Sequence, residues 1–460
     1  MSLPIATPSS KRPAATNSCR VCAPLGSVLA FRGLRGCMPL IHGSQGCATY
    51  IRRYLISHFR EPMDVASTSF DESATIFGGQ SNLAAAIKNL VTQYRPEVIG
   101  VCTTCLAETI GEDTEGILRE ITTEDPSLPP IIHVATPSFK GCQYRGFHET
   151  VAAVLNTVAK GGKPMSHVNL LPGPVSPADL RHLREIVEAF NLPLLMLPDY
   201  SETLDGPSLA TYAPIPEGGV SLAEVADAGR ATATLQLGAT LEPGPGAGLQ
   251  RDFGVPLVKA GLPIGVRATD AVLDSLAALA RGSASRSSDL DSVVPSWLSA
   301  ERGRLVDAYV DGHKYVSGKR VAVVGDPDLA VAVAGFCAEI GLIPVLVASG
   351  ALTHRMASSL EALGLAPGAF EVMEDADYDS IQRRVVELKP DLVLGPSKAY
   401  PMTRALGIPL VRIGFPVHDR IGAGRILHLG YRGTQRLFDE VANALLTHQQ
   451  DSSEMGYAYQ

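Results

Sequence analysis

Three successive stretches of the chain predict an α/β protein built on parallel sheets. In each stretch, runs rich in Val, Ile and Leu precede amphipathic segments, the pattern of strands buried on both faces and joined by helices. The length points the same way, because 460 residues exceed one ordinary core and correspond to about three domains.

In the first stretch, Glu97–Val101 (EVIGV) and Ile131–Ala135 (IIHVA) read as buried strands, and 81–94 and 112–122 as helices. The second opens near Val168. There VNLLPG is a strand and Pro177–Phe190 has helical spacing, with Ser176 placed to cap it. LPLLML follows as a strand, then a turn-rich stretch around 198–207, then strands at Ala233–Leu237 and Pro256–Val258. The segment 243–248 (PGPGAG) reads as a loop. In the third stretch, Lys319–Gly325 is a strand, 327–341 a helix and Pro344–Val347 a strand. Asp391–Gly395 and Pro409–Ile413 are further strands, and 433–447 is a closing helix. Boundaries at the Gly-Gly-Lys-Pro of 161–164 and the Gly/Ser/Arg stretch 282–288 give units of 1–163, 164–300 and 301–460. A flexible arm of about 17 residues precedes the first unit and a short tail ends the last.

Composition excludes several functions. The net charge is −8 with no long basic run, which argues against nucleic acid as a partner. Apolar stretches are cut by charge or proline before they reach the roughly 18 residues of a membrane span. Residues 1–17 lack the apolar core of a secretory signal. A cytoplasmic location is therefore expected, and there cysteine seldom serves structural disulfides.

Seven of the eight cysteines fall by residue 142, namely Cys19, Cys22, Cys37, Cys47, Cys102, Cys105 and Cys142. So regional a concentration implies a local task. Thiolates are the usual ligands of iron–sulfur clusters, and several must converge from loops on one compact object. Cys47 closes His42-Gly43-Ser44-Gln45-Gly46-Cys47, whose glycines permit a tight backbone near bulky sulfide. Cys105 follows the strand 97–101 and Cys142 the strand 131–135, so both leave the carboxyl edge of one sheet, where α/β folds place ligands. Buried packing cysteines are the bland alternative. The Cys-x-x-Cys pairs Cys19/Cys22 and Cys102/Cys105 also permit zinc, although their separation is longer than zinc sites use. A thioredoxin-type pair at Cys102/Cys105 is disfavoured, since no helix N-terminus is expected between them.

Other motifs carry less. Gly78-Gly79 precedes a helix without the Lys-Ser/Thr of a P-loop, so it reads as a helix-start turn, with Phe77 exposed beside it for a partner. Asp326 and Asp328 follow a strand where a dinucleotide fingerprint would begin, but its glycines are absent. They read as a helix cap or dipole partner. Asp307 and Asp311 share a helix face at i,i+4, by themselves a solvated pair. The histidines at 42, 58, 133, 148, 313 and 418 are scattered and read as structural.

The ordered motifs resemble the β subunit of nitrogenase component 1. They are Cys22-Ala23-Pro24-Leu25-Gly26, Pro39-Leu40-Ile41-His42-Gly43-Ser44-Gln45-Gly46-Cys47, His58-Phe59-Arg60-Glu61-Pro62, Ile76-Phe77-Gly78-Gly79-Gln80, Thr103-Thr104-Cys105 and Thr136-Pro137-Ser138-Phe139. Weaker similarity continues through Gly414-Phe415-Pro416 and Gly430-Tyr431-Arg432-Gly433. The resemblance implies three Rossmann-like domains with parallel sheets in an α2β2 heterotetramer. It implies an eight-iron P-cluster shared with an α-type subunit, with Cys22, Cys47 and Cys105 as the β-side ligands. Cys142 stands where nitrogenase has a serine that can bind the cluster, and so becomes a conditional fourth ligand. Tyr50 matches a tyrosine on the electron path, and Phe77 the aromatic that meets an ATP-dependent iron protein. Glu61, Asp307 and Asp311 match a mononuclear cation site, for iron or calcium, between two β subunits, and carboxylates suit such a hard cation. The reducing cofactor is held by the α subunit in this family, so this chain would relay electrons. Among the branches, the short N-terminus and the full cysteine set favour a methylthio-alkane reductase. A dinitrogenase β chain and the β-like half of the cofactor-assembly scaffold are the alternatives.

Overall fold

The computed structural model describes residues 19–283 and 294–454, so the predicted N-terminal arm, most of the 282–288 boundary and the end of the C-terminal tail lie outside the described residues. The structure consists of three parallel α/β sheets, each drawn from one continuous stretch of chain.

The first sheet contains β1 (Cys37–His42), β2 (Ala66–Ser67), β3 (Val98–Thr103) and β4 (Ile131–Val134), in the order β2-β1-β3-β4. Its helices are α1 (Ala23–Phe31), α2 (Gln45–Phe59), α3 (Glu72–Phe77), α4 (Gln80–Tyr94), α5 (Cys105–Thr109), α6 (Thr114–Glu124) and α7 (Gln143–Val158). The second sheet contains β5 (Val168–Leu171), β6 (Leu194–Met196), β7 (Ala233–Leu237) and β8 (Leu257–Ala260), in the order β6-β5-β7-β8. It is served by α8 (Pro177–Ala189), α9 (Leu222–Ala226), α10 (Ala247–Phe253) and α11 (Val266–Ser283). The third sheet has β9 (Arg320–Val324), β10 (Ile343–Ala348), β11 (Glu371–Met373), β12 (Leu392–Gly395) and β13 (Leu410–Arg412), in the order β11-β10-β9-β12-β13. Its helices are α12 (Ser296–Val316), α13 (Pro327–Glu339), α14 (Met356–Ala362), α15 (Tyr378–Leu388), α16 (Tyr400–Leu406) and α17 (Gly430–Asp451).

All strand pairs are parallel, and the chain reverses its winding at the centre of each sheet. This is the doubly wound topology, which opens a crevice at the carboxyl ends of the central strands. In the first sheet those strands are β1 and β3, paired from Cys37 opposite Val98 to His42 opposite Thr103. The segments that leave them carry Cys47 and Cys105. The predicted cap at Ser176 is present as a capping box with Asp179.

Two helices set the geometry at that crevice. Cys22 is the N-cap of α1 and Cys142 the N-cap of α7, and the two residues form an isolated antiparallel bridge. The helices cross where both present glycine. A Cβ on Gly26 would lie 1.8 Å from the Gln143 carbonyl oxygen, and one on Gly146 would lie 2.1 Å from the Ala23 carbonyl oxygen. The backbones therefore approach as closely as they can, and Ser27 Oγ donates to the Gly146 carbonyl at 3.1 Å.

Asp326 occupies the N-cap position of α13, as expected, but its side chain makes no cap bond. Gln143 Nε2 donates to it at 2.8 Å instead. Asp328 is likewise drawn into the interior, accepting from Tyr144 OH at 2.5 Å and from the Thr240 amide at 2.7 Å. Burial pushes the Asp326 carboxyl up to about 7. The expected placement holds, with Asp326 at the N-cap and Asp328 in the first turn where the dipole favours it, but the Asp326 side chain bonds to Gln143 of α7 rather than capping its own helix. No helix among the described residues is long and apolar enough to cross a membrane.

Gly26→Ala and Gly146→Ala are expected to destabilise the chain by about 1–3 kcal/mol each, as overpacking does, measured by thermal or urea unfolding. A second expectation concerns acid. Burial lowers His58 to about 3, and its Nδ1 accepts the Val417 amide at 2.9 Å, tying α2 to the third sheet. A depressed histidine pKa means that the unfolded chain binds the proton more readily, so this contribution is complete above about 6.5 and is lost as pH falls toward 3. Melting temperature should drop across that window, and His58→Asn should flatten the dependence.

Candidate metal-cluster site

Three of the predicted thiols share one patch at the crevice. Cys22 stands in extended backbone ahead of α1, exposed. Cys47 lies in the first turn of α2, which Ser44 caps by accepting from the Gly46 amide. Cys105 is the first residue of α5. Burial raises the Cys47 pKa, and the neighbouring Cys22 and Cys105 raise it further, which places all three thiols within electrostatic reach. Ser138 ties one of them, Cys105, to the start of α1. Its backbone N–H donates to Cys105 Sγ at 3.1 Å, and its hydroxyl oxygen accepts from the Ala23 amide, next to Cys22, at 3.2 Å.

Two expectations about these positions are corrected. Cys47 and Cys105 were placed on loops, but both sit at the starts of helices. The helix that begins at Cys105 also removes the argument that no helix N-terminus stands at that pair, because α5 opens there with Thr104 as its N-cap. Helix N-termini present unpaired N–H groups to anions, which suits thiolates and sulfide.

Cys142 is not among the three. Its backbone pairs with Cys22, but its side chain is 3% exposed and packs with Tyr144 and Ala351. Burial, then Asp326, pushes its thiol up to about 11. Cys37, Cys102 and Cys337 are buried in the core, and Cys19 is raised to about 12, mainly by burial, with Tyr378 bonded to it. These four serve packing.

The predicted cation ligands do not meet within one chain. Glu61 follows α2 and is half-buried. Burial raises its pKa, then Asp205 does, and Arg425 opposes them. Asp307 and Asp311 project from the exposed face of α12. Among the described residues, no three His, Cys, Asp or Glu side chains converge closely enough to hold a single ion. Tyr50 lies one turn beyond Cys47 on α2 and is 64% exposed. Phe77 ends α3 at 85% exposure, with Ile76 at 72% beside it. The Gly78-Gly79 turn starts α4, as predicted.

Sequence reasoning missed Ser138 as the link between the Cys105 thiol and the start of α1, and it missed the pairing of His42 with Glu112 behind the Phe77 turn. The first could have been found from Ser138 standing four residues before Cys142 at a strand's end. The second joins residues 70 apart and left no local signal.

The fold is a three-sheet doubly wound α/β chain with three thiols at a switch-point crevice, and comparison with known proteins gives its family. Residues 22–446 match the family model described as nitrogenase component 1 type oxidoreductase. The chain is 36% identical to the nitrogenase molybdenum-iron protein beta chain of Clostridium pasteurianum, over 94% of this chain and 93% of that one. It is 33% identical to the nitrogenase vanadium-iron protein beta chain of Trichormus variabilis, covering 95% of each. It is 31% identical to the nitrogenase iron-molybdenum cofactor biosynthesis protein NifN of Bradyrhizobium diazoefficiens, covering 95% of this chain and 90% of that one. A solved structure of nitrogenase Cp1 at pH 6.5 superposes with a TM-score of 0.91 at 32% identity, covering 99% and 98% of the two chains. The chain belongs to the nitrogenase component 1 family. Within it, the chain is a β-type subunit.

In the metal-free chain, maleimide should label Cys22 fastest and Cys47 and Cys105 next, while Cys37, Cys102, Cys142 and Cys337 stay protected until unfolding. Mass spectrometry of tryptic peptides reads the order.

Proposed function

We propose that this chain supplies half the ligands of an iron–sulfur cluster, as the electron-relaying β-type subunit of a nitrogenase-like reductase. The observation that carries the reading is the convergence of Cys22, Cys47 and Cys105 at the edge of the first sheet, on a patch left open to a partner. Three thiols on one exposed face are too few to enclose a large cluster. An α-type subunit in an α2β2 assembly would supply the rest, and the cluster would be of the P-cluster type. When bound, the cluster supplies one-electron chemistry. The residues of this chain anchor it, and Ser138 donates an N–H to one sulfur. Such hydrogen bonds are among the factors that set a cluster's potential.

The other roles follow from exposure. Phe77 and Ile76 form the apolar turn on which an ATP-dependent iron protein would seat. Tyr50 lies on the exposed side of α2, between Cys47 and the partner subunit. The half-buried Glu61 of one copy and the exposed Asp307 and Asp311 of another would meet at a β–β contact around iron or calcium. Exposed Val306 and Val310, adjacent on α12, fit a face that a second chain covers. Cys142 is a reserve ligand, since its backbone stands beside Cys22 while its thiol is packed elsewhere. The units 1–163, 164–300 and 301–460 would carry cluster binding, the second and the third Rossmann-like fold.

The substrate reading is reduction of methylthio-alkanes with cleavage of a carbon–sulfur bond, on a cofactor in the α-type subunit. The full cysteine set supports a working reductase over a scaffold. Dinitrogen reduction is the second reading, favoured by the identity to molybdenum and vanadium nitrogenase beta chains.

Anaerobically purified complex should contain cluster iron and show its EPR signal on oxidation. Cys47→Ala and Cys105→Ala should each lose that signal, while Cys142→Ser keeps it. Retention of the cluster in both alanine variants would refute the assignment. With iron protein, ATP and reductant, release of a thiol and a hydrocarbon from a methylthio-alkane supports the first substrate reading. Ammonia from dinitrogen with no organosulfur turnover supports the second.

A further inference from the structure

The exposed Ile76–Phe77 turn is backed by a buried polar pair that reaches the thiol patch. Gly79 begins α4 with no side chain to cap it. Its backbone N–H donates to Glu112 Oε1. The other oxygen of Glu112 accepts from His42 Nε2 at 2.7 Å. His42 Nδ1 faces the Thr68 hydroxyl at 3.2 Å, and the same hydroxyl oxygen accepts the Gly43 amide at 2.9 Å. Burial lowers the His42 pKa and Glu112 opposes the shift. Facing a carboxylate oxygen, which accepts, Nε2 is the nitrogen that donates.

Glu112 is 4% exposed and the His42 side chain is wholly buried. A buried carboxylate is costly unless its oxygens are satisfied. Here each oxygen has one donor, and the N-terminus of α4 adds a favourable field. There is no slack around the pair. A Cβ on Gly79 would lie 2.2 Å from Phe70 Cζ and 3.1 Å from His42 Cε1.

The inner end of this pair touches both ligand-bearing elements. His42 ends β1, and Ser44, two residues on, caps the helix that carries Cys47. The His42 carbonyl accepts the Thr104 amide at 3.0 Å, and Thr104 is the N-cap residue preceding Cys105. A second contact joins the same elements independently. Ala74 of α3 packs with Phe70 and with Ala107 of α5 in a small cluster separate from the main core. The helix that ends in Phe77 and the helix that starts at Cys105 therefore share their own core.

We propose that His42 and Glu112 are positioning residues that hold the Ile76–Phe77 turn in register with Cys47 and Cys105, so that a reductase seated on the turn shifts the cluster's ligands. The proposal rests on the reading of that turn as the iron protein's seat. Coupling of this kind travels through contiguous packed and hydrogen-bonded groups, and this path is short, with the His42 and Glu112 side chains buried at its centre. Glu112→Gln keeps an acceptor for Gly79, and its amide donates to His42 Nε2 once the ring proton moves to Nδ1, facing the Thr68 hydroxyl. Glu112→Ala strips both.

The test uses the complete complex with its ATP-dependent iron protein. Binding affinity, the EPR signal of the cluster with and without bound iron protein, and the rate of electron transfer are measured. In Glu112→Ala, the resting signal and the affinity should stay within about threefold of wild type, while transfer slows about tenfold, the scale of a modest coupling. The change in signal on binding should vanish. Glu112→Gln should restore both. If Glu112→Ala does not assemble, Glu112→Asp, too short to span both partners, should show the same split. Wild-type transfer and an unchanged binding-induced signal in either truncating variant would overturn the proposal. So would loss of the resting cluster in both, which would make the pair a scaffold alone. Failure of the docking reading looks different: Phe77→Ala would then bind the iron protein as wild type does, whatever Glu112 does.

Discussion

The close crossing of α1 and α7 is the constraint on which the thiol patch depends. Gly26 and Gly146 let the two backbones touch, and no side chain fits between them. Because both helices start at the same level, their N-cap residues, Cys22 and Cys142, are held side by side. That contact brings the entering chain to the edge of the first sheet, where β1 and β3 deliver Cys47 and Cys105. Without it, Cys22 would hang on a free segment rather than complete the patch. Gln143 extends the same contact to Asp326 of the third sheet, with its side chain also accepting the Val21 amide at 2.7 Å. One crossing thus sets both the patch and its attachment to the rest of the chain.

The patch is open by design of the fold. The helix starts that bear Cys47 and Cys105 leave the sheet at its switch point, and among the described residues Cys47 and Cys105 are half-buried and Cys22 is exposed. An exposed Cys22 and an exposed Tyr50 would be unusual on a surface meant for water alone. They make sense where a second subunit covers them. Beyond β9 of the third sheet, Asp328 is bonded both to Thr240, which follows β7 of the second sheet, and to Tyr144 of α7 in the first unit.

Much of the fold was legible because fully buried parallel strands leave runs rich in Val and Leu, as at 168–171 and 320–324. The strand Cys37–His42 was not, since Cys, Met, Pro and His dilute its β-character although every residue is buried. Helix α1 was hidden for the opposite reason. It is buried on all sides, so its apolar residues show no helical period. At five residues, α5 is too short for any periodic signal. The candidate ligands Cys47 and Cys105 were legible through glycine context and position after a strand, and Cys22 only through the family resemblance. The separation of Cys142 from them was not, because rotamer and packing partners come from Tyr144 and the distant Ala351. The proposed cation ligands show a further limit: Glu61 and the α12 aspartates share no site among the described residues of one chain, and the proposed pairing would need a second copy.

The central claim is that Cys22, Cys47 and Cys105 bind one cluster at an interface. It is tested most directly by anomalous diffraction across the iron edge on crystals of the anaerobic complex. The account predicts one group of iron peaks within bonding distance of these three sulfurs, shared with a partner chain. Iron elsewhere in the chain, or three thiols with no metal between them in a fully active complex, would contradict it.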